Sequence, residues 1–273
     1  MENVEFLLAW TEDLKKEIET LNFDADDIRK DFFKLFYDST YSYYLGYVSY
    51  ALSSSIIKGD VVFKENLSPF KVHLDRLIEI SQLPILTKSY KNALNRNLNI
   101  ETWSIFELCV TTFCNALSNE EELNKLLRYN FNDILKILNK STIDDNNLEK
   151  LKQKLIVEHL SHVPIQRKVD FLFKKGKHYY RDSKKDREFL VFYGKLRNTL
   201  HSNYIYHGNE YEYKFGEAHF LFNKGKLVKW TDPFAPSPKL YIYLSAQLKE
   251  IWKTLVLSIK HGKKIEYPDL DQN

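Results

Sequence analysis

The sequence predicts a mainly helical protein, an up-and-down bundle with a small antiparallel β meander inserted before the last helix. Three observations carry this. Gly and Pro number 8 and 7 in 273 residues, too few for the turns of an all-β fold. Apolar residues recur at steps of 3 and 4 through most of the chain, the period of a helix buried on one face. One stretch, 210–230, alternates with period 2 instead. The composition is otherwise globular: 44% hydrophobic, 28% charged, net charge +3. This excludes a mainly disordered chain. So slight a net charge does not demand nucleic acid, but it leaves room for a local basic patch. Two cysteines cannot build a disulfide framework, which points to a reducing, cytoplasmic compartment.

The elements follow in order. Residues 3–22 read as an amphipathic helix whose acidic start is unlike a secretory leader. A second helix is expected over 25–57, with an aromatic run from Phe32 to Tyr50. Its residues 39–57 carry no formal charge, yet include six Ser and five Tyr. Burying that many hydroxyls in lipid is costly, so the expectation is a buried or interface helix and no membrane. Ser68-Pro69 fits an N-cap with Pro in the first turn, opening a helix to about Gln82.

The Asn-rich run 92–99 is the best boundary candidate. It divides an aromatic-rich helical region, 1–98, from a bundle over 99–262; a polar tail, 263–273, is expected to fray. In the bundle, Trp103, Phe106, Val110, Phe113 and Leu117 form one helical stripe, with Glu107 at its flank. Shorter helices are expected at 119–128 and 130–140, a longer one at about 144–161, and another at 164–174 opened by Pro164. A helix over 183–204 carries the stripe Phe189, Phe192, Tyr193, Leu196 and Leu200. The meander at about 210–230 turns at Gly216-Glu217 and at Asn223-Lys224-Gly225. After three prolines in DPFAPSP, the last helix covers 239–261.

The chemistry concentrates at Leu196-Arg197-Asn198-Thr199-Leu200-His201-Ser202-Asn203-Tyr204. Arg197 and His201 are four apart and share a helix flank, about 80–120° from the centre of the apolar stripe. Gly194 lies on the same flank. Mid-helix Gly costs about 1 kcal/mol relative to Ala, so a close neighbour, most simply a second helix, is expected there. An Arg and a His one turn apart can cleave RNA without a metal. The guanidinium holds the scissile phosphate with two parallel hydrogen bonds and stabilises the transition-state charge. The imidazole takes the proton of the ribose 2′-OH or gives one to the leaving oxygen. Asn198 can orient either group. Glu107, Asn203 and Tyr204 are supporting candidates.

A long helix ending in Arg-Asn-x-x-His-Ser-Asn resembles the signature of the HEPN superfamily. The resemblance covers roughly 100–261. It rests on Arg197, Asn198 and His201, on the glutamate-bearing helix ETWSIFE, and on a β insertion followed by a long closing helix. It implies an all-helical bundle that dimerises, so that two motifs meet in one RNA-cleaving cleft. It also implies a metal-independent endoribonuclease of a toxin–antitoxin or anti-phage system, with an antitoxin or partner enzyme. Three residues stand between Arg197 and His201, one fewer than the family's usual minimum. The competing expectation is a non-catalytic module of the same fold that binds RNA or nucleotide, or regulates a partner enzyme.

A basic run precedes the motif helix: Lys174, Lys175, Lys177, Arg181, Lys184 and Lys185. It is either a solvated loop or a phosphate-tracking patch, with Tyr179 and Tyr180 available to stack on bases. Cys109 and Cys114 are spaced as buried thiols of an apolar helix, and His159 and His162 do not complete a zinc pattern. No nucleotide-loop, Rossmann, hydrolase or zincin motif occurs. Neither a metal nor a cofactor is expected.

Overall fold

A computed structural model of the chain describes residues 2–57, 59–60, 75, 84–139, 143–157 and 163–267. It is mainly helical, with a three-stranded antiparallel sheet before the last helix. The Ser68-Pro69 helix and the His159 and His162 positions lie outside the described residues.

Helix α1 (Glu2–Thr20) buries Leu7, Thr11 and Leu14, one face at steps of 4 and 3. Asp27 caps α2 (Ile28–Ile57), its carboxylate accepting the Arg29 backbone N–H at 2.9 Å. The aromatic run then divides between two cores. Phe32, Phe33 and Phe36 enter the main core, while Tyr43 and Tyr47 join Leu7, Leu98 and Ile242 in a second cluster. Tyr43 donates to Asn95 Oδ1 at 2.7 Å. The uncharged stretch is therefore buried on one face within the chain, and no described helix is long and apolar enough to cross a membrane.

Helix α3 (Pro84–Leu117) is the central strut and touches α2 and three later helices. The boundary expected near residue 98 falls inside it, without a break. Asn lowers helix propensity by well under 1 kcal/mol per residue, which packing on both sides of α3 overrides. The main core also joins Phe32 and Phe36 to Trp252, so packing runs continuously across that position. The stripe Trp103, Phe106, Val110 and Phe113 is buried as expected.

Asn119 and Glu122 open α4 (Glu120–Leu138) with a reciprocal capping box, at 2.8 and 3.2 Å. Two helices were expected here. The chain forms one, because Asn130 and Asn132 weaken a helix without stopping it and no Gly or Pro intervenes. Asp144 caps α5 (Asp145–Val157). Pro164 precedes α6 (Ile165–Lys175), which Gly176 closes.

Helix α7 (Ser183–His201) is capped by Asp182, which accepts the Lys184 and Lys185 N–H groups. Its whole stripe is buried. Strands β1 (Tyr211–Phe215), β2 (Ala218–Phe222) and β3 (Lys229–Thr231) form the meander. Phe215 pairs with Ala218 across Gly216-Glu217, and Gly216 takes the positive φ of 57° that this two-residue turn requires. Ala218, Phe220 and Phe222 are buried, with Phe220 4.8 Å from the Phe192 ring of α7. The sheet is thus a lid on the C-terminal half of α7.

Helix α8 (Lys239–Ser258) runs through the core, and its fully buried Trp252 meets Phe32, Phe106 and Phe113. It ends three residues earlier than expected, because Ile259 is extended. The carbonyl oxygens of His261 and Lys263 then accept from the Arg29 guanidinium. The described part of the tail, 263–267, does not fray: Ile265 is buried and its carbonyl accepts the Ile28 N–H at 2.8 Å.

Candidate functional site

Arg197 follows Tyr193 by four residues and Gly194 by three, so the three share one flank of α7. That flank faces α3. The Tyr193 hydroxyl meets Thr102 Oγ1 at 2.9 Å, and the Trp103 ring stacks on Tyr193 at 5.7 Å. A Cβ on Gly194 would lie 3.2 Å from Trp103 Cζ2. The close approach expected from Gly194 is present, and α3 makes it. Arg197 is half-buried there. Its Nη1 donates to Asn198 Oδ1 at 3.1 Å, and its buried Nε has no partner. His201, the last residue of α7, is exposed one turn on. The pair therefore straddles the border between helix interface and solvent.

The helix end is tightly folded. Tyr204 N–H bonds the Thr199 carbonyl at 2.8 Å, a six-residue closure with Asn203 in the left-handed region (φ 52°). Tyr204 also has a positive φ, 67°, an uncommon conformation for a bulky residue. The result turns its ring onto Trp230, with centroids 6.5 Å apart and planes 20° from parallel.

Against Leu196 and Leu200 of α7, the positions flanking the motif, opens a cleft of about 60 Å³. One wall is Asn92, Asn95, Arg96 and Asn99 of α3. Their steps of 3, 1 and 3 put all four on one helical face. Leu196, Leu200 and Tyr204 form the opposite wall; Phe220, Trp230, Tyr241 and Leu244 complete it. Arg96 is the sole charged residue among the described lining residues. It has no ion pair or hydrogen bond among the described residues. Burial pushes the Tyr241 phenol up to about 12, so it stays a neutral hydroxyl.

The other expected site residues separate into bound and free. Glu107 does not reach Arg197 or His201. Helices α3 and α7 run antiparallel, so from the Thr102–Tyr193 contact Glu107 and Arg197 diverge by roughly 13 Å along the axes. The Glu107 charge acts instead on Lys168 of α6, whose pKa burial lowers and Glu107 partly restores. Arg181 is not available to phosphate: it makes two bonds, 2.8 and 2.9 Å, to buried Asp186. Tyr179 donates to the same carboxylate and packs on Phe173, so it does not offer a stacking face. Lys175 pairs with Glu122 at 2.6 Å. Lys174, Lys177, Lys184 and Tyr180 are exposed, as is Lys185, which lies 3.7 Å from Asp182.

Cys109 and Cys114 are buried thiols. Burial pushes Cys109 up to about 12, where it is neither nucleophile nor metal ligand at neutral pH. Among the described residues no group of three His, Cys, Asp or Glu side chains is placed to hold a metal ion.

Sequence reasoning missed the asparagine wall. The signal lies in the spacing of Asn92, Asn95, Arg96 and Asn99, which fits a helix face as well as a boundary composition. No family model matches the chain, and no curated protein or solved structure matches it either.

Proposed function

We propose that the protein is a cytoplasmic RNA-cleaving protein of the HEPN kind that needs no metal, acting at Arg197 and His201. The observation that carries this reading is the arrangement at the C-terminal end of α7. A guanidinium with a partnerless Nε is held by Asn198. An exposed imidazole stands one turn further on, and among the described residues the cleft against Leu196 and Leu200 is lined by no carboxylate. A phosphodiester held by Arg197 would have the His201 imidazole within one helical turn, about 6 Å along the axis. In the reaction the 2′-oxygen loses its proton to a base and attacks the adjacent phosphorus. The bond to the 5′-oxygen breaks, and that oxygen takes up a proton. His201 serves one or both transfers, while Arg197 offsets the charge that builds on the phosphoryl oxygens. A toxin or anti-phage setting, a homodimer with paired motifs and an antitoxin or partner enzyme belong to the same proposal.

A second reading, RNA or nucleotide binding without cleavage, is favoured by one observation. Arg197 is half-buried, with its Nε inside the protein, whereas His201 is exposed. One experiment separates the two. Purified protein is incubated with labelled single-stranded RNA with and without EDTA. The first reading expects cleavage that survives EDTA and disappears in both His201→Ala and Arg197→Ala. RNA bound but left intact favours the second. RNA neither bound nor cut defeats both.

A further inference from the structure

The cleft against Leu196 and Leu200 has features that the bundle itself does not need. Exposure falls along its asparagine wall, from exposed Asn92 through half-buried Asn95 and Arg96 to Asn99, which is 1% exposed. The orientation of the Asn99 amide is set by its own helix. Nδ2 donates to the Asn95 carbonyl at 2.8 Å. Oδ1 is thereby turned away as a buried acceptor with no partner among the described residues. A buried acceptor left unmatched destabilises a fold, and its retention calls for an explanation beyond packing.

The rest of the lining states what kind of group could match it. Trp230 lies near-parallel to both Tyr204 (6.5 Å) and Phe220 (6.2 Å), a set of flat apolar faces. Tyr204 and Trp230 are only half-buried, which leaves ring surface open to the cleft. Arg96 supplies a positive charge to the lining. A flat, partly apolar ring with an N–H on its edge and an anionic group attached satisfies every one of these. Sugars lack the flat face, and fatty acids lack the donor.

We propose that this cleft is a nucleobase pocket. Asn99 Oδ1 accepts an N–H from the edge of one unpaired base, Trp230 and Tyr204 lie against the ring, and Arg96 takes the attached phosphate. The same chemistry is presented by a base of single-stranded RNA and by a free mononucleotide. Where the occupant is RNA, the inference rests on the function proposed above and adds to it that one base is splayed out into the cleft against Leu196 and Leu200 of the motif helix. A base inside a duplex has its edge paired and its faces stacked, and cannot enter.

The test uses the full chain and two ligand sets, with Trp fluorescence and calorimetry as readouts. One set is AMP, GMP, CMP and UMP; the other is an RNA oligonucleotide, single-stranded or annealed to its complement. The variants are Asn99→Leu and Arg96→Gln, with thermal melting to show that each folds. The expected result is preference for the single strand over the duplex. Asn99→Leu should weaken binding by about ten-fold, the scale of one lost buried hydrogen bond. Its melting temperature should be equal to or above that of the parent, since the unmatched acceptor is gone. Single-stranded binding unchanged in both variants, or equal binding of the duplex, overturns the pocket. If wild-type protein binds no RNA, the function proposed above fails by itself, and the mononucleotides then decide the pocket. A mononucleotide bound by wild type and lost in Asn99→Leu upholds it; no mononucleotide bound overturns it.

Discussion

Trp103 closes over Gly194 so tightly that its indole occupies the space of a side chain. A Cβ at 194 would lie 3.2 Å from Cζ2 and 3.3 Å from Cη2. Trp103 cannot yield, because it is wedged between Tyr193 and Phe106 and is 4% exposed. Gly194→Val should therefore cost about 2 kcal/mol despite removing a helical glycine, the overpacking term exceeding the propensity gain. Urea unfolding measures this. A midpoint at or above that of the parent would show that α3 and α7 are not locked at this point. Since Arg197 is one turn on, RNA affinity should fall in the same variant.

Asp186 is a buried carboxylate shared by three side chains. It accepts from Arg181, Tyr179 and Gln247 and is 2% exposed. Arg181→Ala leaves that charge buried with its cationic partner removed, an arrangement that costs about 3 kcal/mol. Lys184→Ala, at an exposed position nearby, should stay within about 0.5 kcal/mol. If chemical denaturation finds the two variants alike, Arg181 is not a structural anchor.

Acid should unfold the protein through two carboxyls. Burial alone would push the Glu17 pKa up, but hydrogen bonds and charge from Lys249 and Lys253 outweigh it and hold it below the ordinary value. Burial and Arg29 compete in the same way at Asp27, and Arg29 wins. A carboxyl with a lower pKa folded than unfolded contributes stability above the unfolded pKa and loses it as pH falls through the folded one. The unfolded values are about 4.3 and 3.9, so the loss begins near pH 4 and deepens below it. Glu17→Gln with Asp27→Asn should lower stability at pH 7 and flatten the profile below pH 4. Unfolding midpoints taken across pH test this, and a double variant with the parent's slope contradicts it.

Asn203 ends α7 in the left-handed region at φ 52°. Glycine adopts that conformation without the Cβ penalty, so Asn203→Gly should gain about 0.5 kcal/mol. Asn203→Val, β-branched at positive φ, should lose about 1–2 kcal/mol. Thermal melts that rank the two in reverse order would mean the closure at Thr199 is absent in solution.

Much of the scaffold was legible because it is local. The stripes of α3 and α7 follow from a 3.6-residue period. The Asp182 cap and the Gly216-Glu217 turn follow from backbone rules at single positions. The demand of Gly194 for a close neighbour follows from the cost of a glycine in mid-helix. The misreadings were also local in origin. The asparagines at 92–99 suggest a boundary, though each alters helix stability by only a fraction of a kcal/mol.

The sequence by itself determined which faces of the helices are apolar, where most helices begin, and that Arg197 and His201 share an edge. The tertiary structure alone decided what each polar side chain meets. It turned Arg181 inward to Asp186, bonded Lys168 to Thr111, and set the amide face of α3 opposite Tyr204 and Trp230, more than a hundred residues away. The reason is physical: periodicity is a property of one helix, whereas the partner of a polar group depends on how two helices are placed by the packing of the whole core.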